Sequence, residues 1–159
     1  MRSLHPDYQL RVEKLQQLLS RQGIEALVVT SNVGLLYLSG QVFSGLIFVP
    51  QTGPAQFFVR RPQTEPESET LHHIRKIEQL TDYIDTEKIA SVALELDEQS
   101  YGDIQRQKKL FPAAELYNGT ALLREARMVK TPLEIEQIRQ GAQHHIATYA
   151  VIPSLYREG

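Results

Sequence analysis

The sequence contains no cysteine, and no apolar stretch approaches the roughly 20 residues that a membrane-spanning helix needs. Without cysteine the chain forms no disulfide, no thiolate nucleophile and no cysteine-ligated metal site. The first seven residues, Met-Arg-Ser-Leu-His-Pro-Asp, lack the apolar core of a signal peptide. These absences predict a cytoplasmic protein with no membrane partner.

The sequence also has little net charge, which limits the partners we expect. Its 17 basic and 19 acidic residues give a formal charge of −2. Nucleic acids and anionic membranes are bound largely through clustered positive charge, so we expect neither. There is no glycine-rich phosphate loop and no serine in a nucleophile-elbow context.

The composition is that of one soluble globular domain, with 42% hydrophobic and 23% charged residues. An apolar stripe at helical spacing predicts a helix over residues 6–23, where Gly23 is suited to end it. The almost wholly apolar runs 26–30 and 91–96 are typical of strands buried on both faces. The predicted fold is therefore α/β: a mixed, mostly parallel sheet of about six strands flanked by helices and followed by a C-terminal linker helix.

The remaining elements are predicted with different clarity. Residues 45–49 and 55–60 are rich in β-branched and aromatic side chains and flank a turn, which predicts a hairpin. Residues 69–77 are predicted to be a helix and residues 76–80 an edge strand, with the boundary between the two left open. Four short elements are predicted downstream: helices at 85–90 and 101–111, a strand at 114–117 and a helical turn at 122–126.

The strongest local signal is a helix start near residue 131. Thr131 is suited to the N-cap, Pro132 to the first helical position, and Glu134 completes the spacing of a capping box. An apolar face follows at helical spacing, made by Ile135, Ile138, Ala142, Ile146 and Tyr149. We expect this face to need a partner that the 159 residues do not supply, which predicts an exposed stripe or self-association.

Two segments resemble motifs of one known family. Residues 127–139 read Arg-Met-Val-Lys-Thr-Pro-Leu-Glu-Ile-Glu-Gln-Ile-Arg, which is similar to a segment of the creatinase, prolidase and aminopeptidase P family. Residues 32–40 read Asn-Val-Gly-Leu-Leu-Tyr-Leu-Ser-Gly and resemble a second motif, with two extra residues between the Val and the Tyr. The motifs follow the family's order, and the resemblance spans nearly the whole chain.

The resemblance implies two parts. Residues 1–126 would be a creatinase/prolidase-type N-terminal domain, and residues 127–159 the connector and first helix of a truncated pita-bread catalytic domain. In the family that catalytic domain carries a pair of divalent metal ions (Mn, Co or Zn) held by two aspartates, a histidine and two glutamates. Those positions are absent here, so the resemblance implies no catalytic residue, metal ligand or cofactor in this chain. The parent would be a homodimeric, metal-dependent Xaa-Pro hydrolase.

Three residues are candidates for contact with a substrate. Arg60 and Arg61 end a predicted strand, and paired guanidinium groups suit a carboxylate. Tyr37 belongs to the second motif. The resemblance implies that such residues reach the catalytic pocket of the neighbouring subunit, in trans. The alternatives are a solvated loop for the arginines and a core position for Tyr37.

The other ionisable groups favour no chemistry. The histidine pairs are adjacent in sequence, and adjacent helical residues point about 100° apart, so neither pair chelates one metal. The paired acids lie beside turns or strand ends, where exposed carboxylates need no function. These residues are His5, His72, His73, His144 and His145, with Asp82, Asp85, Glu95 and Asp97.

Two functions remain open. The first is a non-catalytic N-terminal domain of an Xaa-Pro dipeptidase or aminopeptidase P, contributing to dimerisation and to the substrate pocket in trans. The second is a stand-alone α/β module that binds a ligand or a protein without peptidase activity. Metal-ligating aspartates, histidine and glutamates encoded downstream of residue 159 would support the first.

Overall fold

The computed structural model describes residues 6–156, so His5 lies outside the described residues. The helices are α1 (Pro6–Gln22), α2 (Asn32–Ser39), α3 (Tyr101–Lys108), α4 (Gly119–Met128) and α5 (Pro132–Leu155). The strands are β1 (Ala26–Val29), β2 (Ser44–Pro50), β3 (Gln56–Arg61), β4 (Leu71–His73), β5 (Ser91–Leu94) and β6 (Glu115–Asn118). Two short 3₁₀ helices lie at Ile77–Asp82 and Thr86–Lys88.

The six strands form one mixed sheet in the order β4-β3-β2-β1-β5-β6. β1 is parallel to β5, β5 to β6, and β3 to β4. β2 is antiparallel to both of its neighbours, β1 and β3. All strands except β2 therefore run in the same direction, which confirms the predicted mixed, mostly parallel sheet with flanking helices.

The sheet separates two hydrophobic cores because successive side chains of a strand point to opposite faces. Leu27 and Val29 of β1 pack in the core that also contains side chains of α1, α2 and α4. Ala26 and Val28 pack in the other core, beside Phe111. This burial on both faces explains why β1 reads as a continuous apolar run.

The predicted hairpin is confirmed as β2–β3, and two glycines permit close packing around it. A β-bulge interrupts the ladder between Ser44 and Gly45, where a Cβ on Gly45 would lie 2.0 Å from the Phe58 carbonyl oxygen. In α2, a Cβ on Gly34 would lie 2.3 Å from Cγ1 of Val29. Side chains at these two positions would push apart β2 from β3 and α2 from β1.

The predicted helix over 69–77 and the predicted edge strand over 76–80 were both wrong. The edge strand is β4, Leu71–His73, and the residues proposed as a strand begin the 3₁₀ helix Ile77–Asp82. Leu71 and Ile74 stand three apart, a spacing that suggests one helical face, but they pack in opposite cores. Pairing with β3 imposes the strand period of two and therefore overrides the local pattern.

The chain divides into two compact units between Met128 and Val129, whereas the sequence motifs suggested a boundary at residues 126 and 127. In the second unit, α5 begins as predicted. The Thr131 hydroxyl accepts a bond from the Glu134 backbone N–H at 3.4 Å, and the Glu134 carboxylate accepts one from the Thr131 N–H at 2.9 Å. Among residues 6–156, no helix is long and apolar enough to cross a membrane.

Candidate functional site

Polar residues from five strands meet at one edge of the sheet. This is the edge at which β1, β3, β5 and β6 end and at which the antiparallel β2 begins. Thr30 follows β1, Glu95 follows β5, Asn118 ends β6 and Arg61 ends β3. β2 runs in the opposite direction, so its first residue, Ser44, pairs with Arg61 at the same edge. Because α/β folds commonly bind ligands outside the carboxyl ends of their strands, this edge is the candidate functional site.

An open cleft of about 470 Å³ lies at this edge, and we call it the carboxyl-edge cleft. Its polar lining comes from Thr30, Asn32, Ser44, Arg60 and Arg61. Val42 and Phe43 add apolar surface beside the arginines. No acidic side chain of the described residues lines the cleft, so its charge is positive and suits an anionic ligand.

Arg60 and Arg61 are both exposed, and their guanidinium groups have no ion-pair or hydrogen-bond partner within residues 6–156. The pairing passes from Ser44–Arg61 to Gly45–Val59, so β3 carries one extra residue at this bulge, Arg60, and bulges commonly redirect side chains at the rim of a sheet. Both arginines line the same cleft. The structure thus places two of the three candidate residues together, each with its hydrogen-bond donors available.

Tyr37, the third candidate, lies elsewhere. Its side chain is 5% exposed, and its hydroxyl donates a hydrogen bond to the Ala126 carbonyl at 3.0 Å. Its own carbonyl accepts a bond from the Arg11 guanidinium at 2.8 Å. Tyr37 therefore joins α2 to α4 within the core, and it is not part of the cleft lining.

Glu95 holds one wall of the carboxyl-edge cleft. The residue is 1% exposed, and its Oε2 accepts hydrogen bonds from the backbone N–H groups of Thr30 at 2.6 Å and Ser31 at 2.8 Å. Its Oε1 accepts a third bond from the Ser31 hydroxyl at 2.6 Å. The Ser31 hydroxyl also caps α2, accepting from the Gly34 N–H at 3.0 Å. One buried carboxylate thus ties the end of β1 to the start of α2.

The prediction that Glu95 is an ordinary exposed acid was wrong. A useful signal was its place inside the apolar run 91–96, since a carboxylate in a buried strand needs compensating donors. Asp97 does not form an acid/base pair with it. Asp97 instead accepts a bond from the Asn118 amide at 2.9 Å and pairs with Arg124 at 3.5 Å. Asp82 and Asp85 are exposed, as predicted.

The polar network around Glu95 extends into α3. The Gln99 side-chain amide donates a hydrogen bond to the Thr30 hydroxyl at 2.8 Å, and Gln107 donates in turn to Gln99. Gln107 is 4% exposed, so the network runs from the cleft wall into the interior. Glu95 therefore bonds both the backbone N–H of Thr30 and, at 3.5 Å, its hydroxyl, and Gln99 adds a second partner for that hydroxyl.

The histidine pair on β4 is engaged within the fold. His72 Nε2 lies 2.8 Å from the Gln56 side-chain oxygen, and its ring centroid lies 4.1 Å from that of Tyr83. Burial lowers the pKa of His72, and the nearby Glu67 charge opposes that effect. His73 Nε2 lies 2.9 Å from the Glu65 carbonyl oxygen. Within residues 6–156, no group of three or more candidate side chains is arranged to hold a metal ion.

Comparisons with known proteins agree with this architecture. The profile of the Creatinase/Prolidase N-terminal domain family matches residues 11–129. A curated relative, the uncharacterized peptidase YqhT of Bacillus subtilis (strain 168), is 24% identical over 153 residues, an alignment that covers 88% of this chain and 43% of that protein.

Two solved structures share the fold over nearly the whole chain. The Xaa-Pro dipeptidase from Bacillus anthracis matches with a TM-score of 0.79 and 20% identity, covering 96% of this chain and 44% of the other. The prolidase from Pyrococcus horikoshii OT3 matches with a TM-score of 0.73 and 19% identity, covering 94% and 44%. The chain thus spans less than half the length of each of these three relatives.

Proposed function

Because the chain belongs to the Creatinase/Prolidase N-terminal domain family, we propose that it is the non-catalytic N-terminal domain of a longer, cytoplasmic Xaa-Pro dipeptidase or aminopeptidase. One observation supports this proposal. YqhT and the Xaa-Pro dipeptidase from Bacillus anthracis are peptidases by name and are more than twice as long as the region they share with this chain.

The proposal assigns the chemistry to a C-terminal pita-bread domain of the same polypeptide, with residues 127–159 as the connector and first helix. A pair of divalent metal ions, Mn, Co or Zn, would be held there. The isolated chain should then hydrolyse no Xaa-Pro dipeptide when any of these ions is added. Metal-dependent turnover by the purified chain would contradict the assignment.

We also propose that the domain helps to form a homodimer and that its carboxyl-edge cleft completes the substrate pocket of the neighbouring subunit. The observation that carries this proposal is the pair of guanidinium groups that have no partner within residues 6–156 and line a cleft with no acidic side chain. Arg60 and Arg61 would bind the terminal carboxylate of a peptide. Tyr37 would support the fold by joining α2 to α4 and would not contact the substrate.

The magnitude of such a contact makes the proposal testable. A forked, charge-assisted hydrogen bond contributes about 1.5–3 kcal/mol. Losing it should raise KM about ten- to a hundredfold, since each 1.4 kcal/mol is a factor of about ten. If the arginines are only solvated, their replacement should change binding by no more than about 0.5 kcal/mol.

The experiment is steady-state kinetics of the full-length protein and its Arg60→Ala and Arg61→Ala variants. The substrates are a short Xaa-Pro peptide and the same peptide with a C-terminal amide. We expect the variants to bind the free acid more weakly and to discriminate less between acid and amide. Arg21→Ala is the matched control, because Arg21 is an exposed arginine at the end of α1, towards the opposite edge of the sheet. Unchanged KM and kcat in both variants, with folding intact, would contradict the role of the arginines.

A further inference from the structure

We propose that Glu95 is a positioning residue for the carboxyl-edge cleft, acting through the β1–α2 turn without touching the ligand. The inference rests on the proposed function of that cleft. Glu95 lies at the end of β5, which is the parallel neighbour of β1. Thr30 and Asn32, on either side of Ser31, both line the cleft. The carboxylate therefore holds the backbone between two residues that form the cleft wall.

The donors that Glu95 satisfies have no other partner in the sheet. β1 ends at Val29, so the N–H groups of Thr30 and Ser31 lie beyond its ladder. Glu95 accepts from both of them, at 2.6 and 2.8 Å. Thr30 and Ser31 are partly buried, and N–H groups withdrawn from water are nearly always paired, so a change in this acceptor should displace the turn and not merely remove one bond.

The chemistry of the acceptor explains why a carboxylate stands here. An ionised carboxylate accepts at both oxygens, whereas the amide of glutamine accepts at one and presents two donors at the other. In a Glu95→Gln variant, the NH₂ group would face either the backbone N–H groups or the Ser31 hydroxyl. In the second orientation the hydroxyl could accept from the amide, since it has two lone pairs, but its own O–H would lose the acceptor that Glu95 provides. The substitution therefore conserves volume while breaking the match of donors to acceptors.

Ser31 offers a milder test of the same connection. Its hydroxyl is the link between Oε1 of Glu95 and the first turn of α2. Ser31→Ala removes this link but leaves both backbone bonds to Oε2 in place. We therefore expect Ser31→Ala to move the wall less than Glu95→Gln and to keep the chain folded.

Glu25 provides a matched control at the opposite edge of the sheet. Its carboxylate also accepts a backbone hydrogen bond, from the Ala90 N–H at 2.8 Å, but it precedes β1 and is exposed. Glu25→Gln makes the same chemical change to a carboxylate that accepts a backbone hydrogen bond, but at the opposite end of β1 from the cleft wall. A purely structural role predicts that the two Glu→Gln variants differ only in stability.

The test is KM and kcat of the full-length protein for a short Xaa-Pro peptide, with the Arg60→Ala variant measured in parallel. We expect Glu95→Gln to raise KM about tenfold with kcat changed less than about twofold, Ser31→Ala to raise KM by a smaller factor, and Glu25→Gln to change neither. The Arg60→Ala/Glu95→Gln double variant should raise KM by less than the product of the two single effects, because both act on the same bound group.

The outcomes separate this inference from the proposed function. A raised KM in Arg60→Ala, with unchanged KM in both Glu95→Gln and Ser31→Ala, would overturn the positioning role and leave the cleft as the binding site. Unchanged KM in Arg60→Ala would contradict the proposed function of the cleft and remove the basis of the inference with it. If Glu95→Gln does not fold, Ser31→Ala alone decides the question.

Discussion

Arg11 and the pair Arg60–Arg61 carry the same side chain in opposite environments. Arg11 is 4% exposed, pairs with Asp7 at 2.6 Å and donates a hydrogen bond to the Tyr37 carbonyl at 2.8 Å. Arg60 and Arg61 are exposed and unpartnered within the described residues. A guanidinium whose donors are used inside the fold stabilises the fold, whereas one whose donors are available can bind a ligand.

The aromatic surroundings of Arg11 sharpen the contrast. Its guanidinium carbon lies 4.8 Å from the ring centroid of Tyr8 and 5.0 Å from that of Tyr37, within the range of cation–π attraction. The residue thereby connects α1 to α2. Neither arginine of the cleft has a comparable aromatic contact within the described residues. We therefore expect replacement of Arg11 to lower the stability of the fold, and replacement of Arg60 or Arg61 to leave stability nearly unchanged while weakening ligand binding.

The largest expected effect is on the buried arginine. Arg11→Ala should lower the free energy of unfolding by about 3–5 kcal/mol, because it removes the ion-pair partner of the buried Asp7 carboxylate. The measurement is urea denaturation of the 159-residue chain. Arg21→Ala, an exposed position on the same helix, is the control and should change stability by no more than about 0.5 kcal/mol. A loss below about 1 kcal/mol for Arg11→Ala would remove the distinction between the two environments.

Tyr37→Phe should have the next largest effect, about 1–2 kcal/mol, because it leaves the Ala126 carbonyl without the hydroxyl that bonds it. Denaturation of the isolated chain measures this loss. The same variant in the full-length protein should keep its KM. A raised KM with unchanged stability would show instead that Tyr37 contacts the substrate.

The exposed ion pair between Arg106 and Glu78 should contribute less to stability than Arg11 or Tyr37 does. Arg106 donates two hydrogen bonds to the Glu78 carboxylate, at 2.7 and 3.0 Å, and lowers the pKa of Glu78 from its ordinary 4.5 to about 2. Because both side chains are nearly half exposed and solvent screens their contact, we expect Arg106→Ala to cost less stability than Tyr37→Phe at pH 7.

The pH dependence of that pair has a definite sign. The pKa of Glu78 is lower in the folded state than in the unfolded state, so its stabilisation is complete above pH 4.5 and is lost as the pH falls towards about 2. Unfolding measured across this range should show the wild-type and Arg106→Ala curves converging in acid. A stability difference that stays constant down to about pH 2 would exclude the ion pair as its source.

The smallest expected effect on stability belongs to the cleft. Arg60→Ala and Arg61→Ala should change the free energy of unfolding by no more than about 0.5 kcal/mol, since neither side chain has a partner to lose within the described residues. Thermal and urea denaturation of the isolated chain test this expectation. A loss above about 1 kcal/mol would show that these arginines support the fold and would weaken the case for a binding role.

Local signals predicted the elements whose hydrogen bonds close within a few residues. Gly23 takes a left-handed conformation with a φ of 67° directly after α1, and Thr131 and Glu134 form the predicted capping box. The hairpin β2–β3 likewise depends on residues close in sequence. In each case the interactions that form the element lie within the segment itself, so its local sequence pattern was sufficient to predict it.

Distant contacts decided the rest of the fold and of the candidate site. Glu95 and Ser31 are 64 positions apart, so no local pattern announces that one accepts hydrogen bonds from the other. Tyr37 and Ala126 are 89 apart, and their hydrogen bond decides that the tyrosine lies in the core. Leu71 and Ile74 follow a helical spacing that pairing with β3 overrides.

For Arg60 and Arg61, the sequence and the tertiary structure each determined a different part of the candidate site. The sequence by itself determined that Arg60 and Arg61 are adjacent, follow an apolar strand and carry donors suited to a carboxylate. Only the sheet topology decided that they share a cleft with Asn32 and Ser44. The reason is directional: β2 runs against β1 and β3, so its first residue meets their carboxyl ends, and a direction of pairing is a property of the assembled sheet.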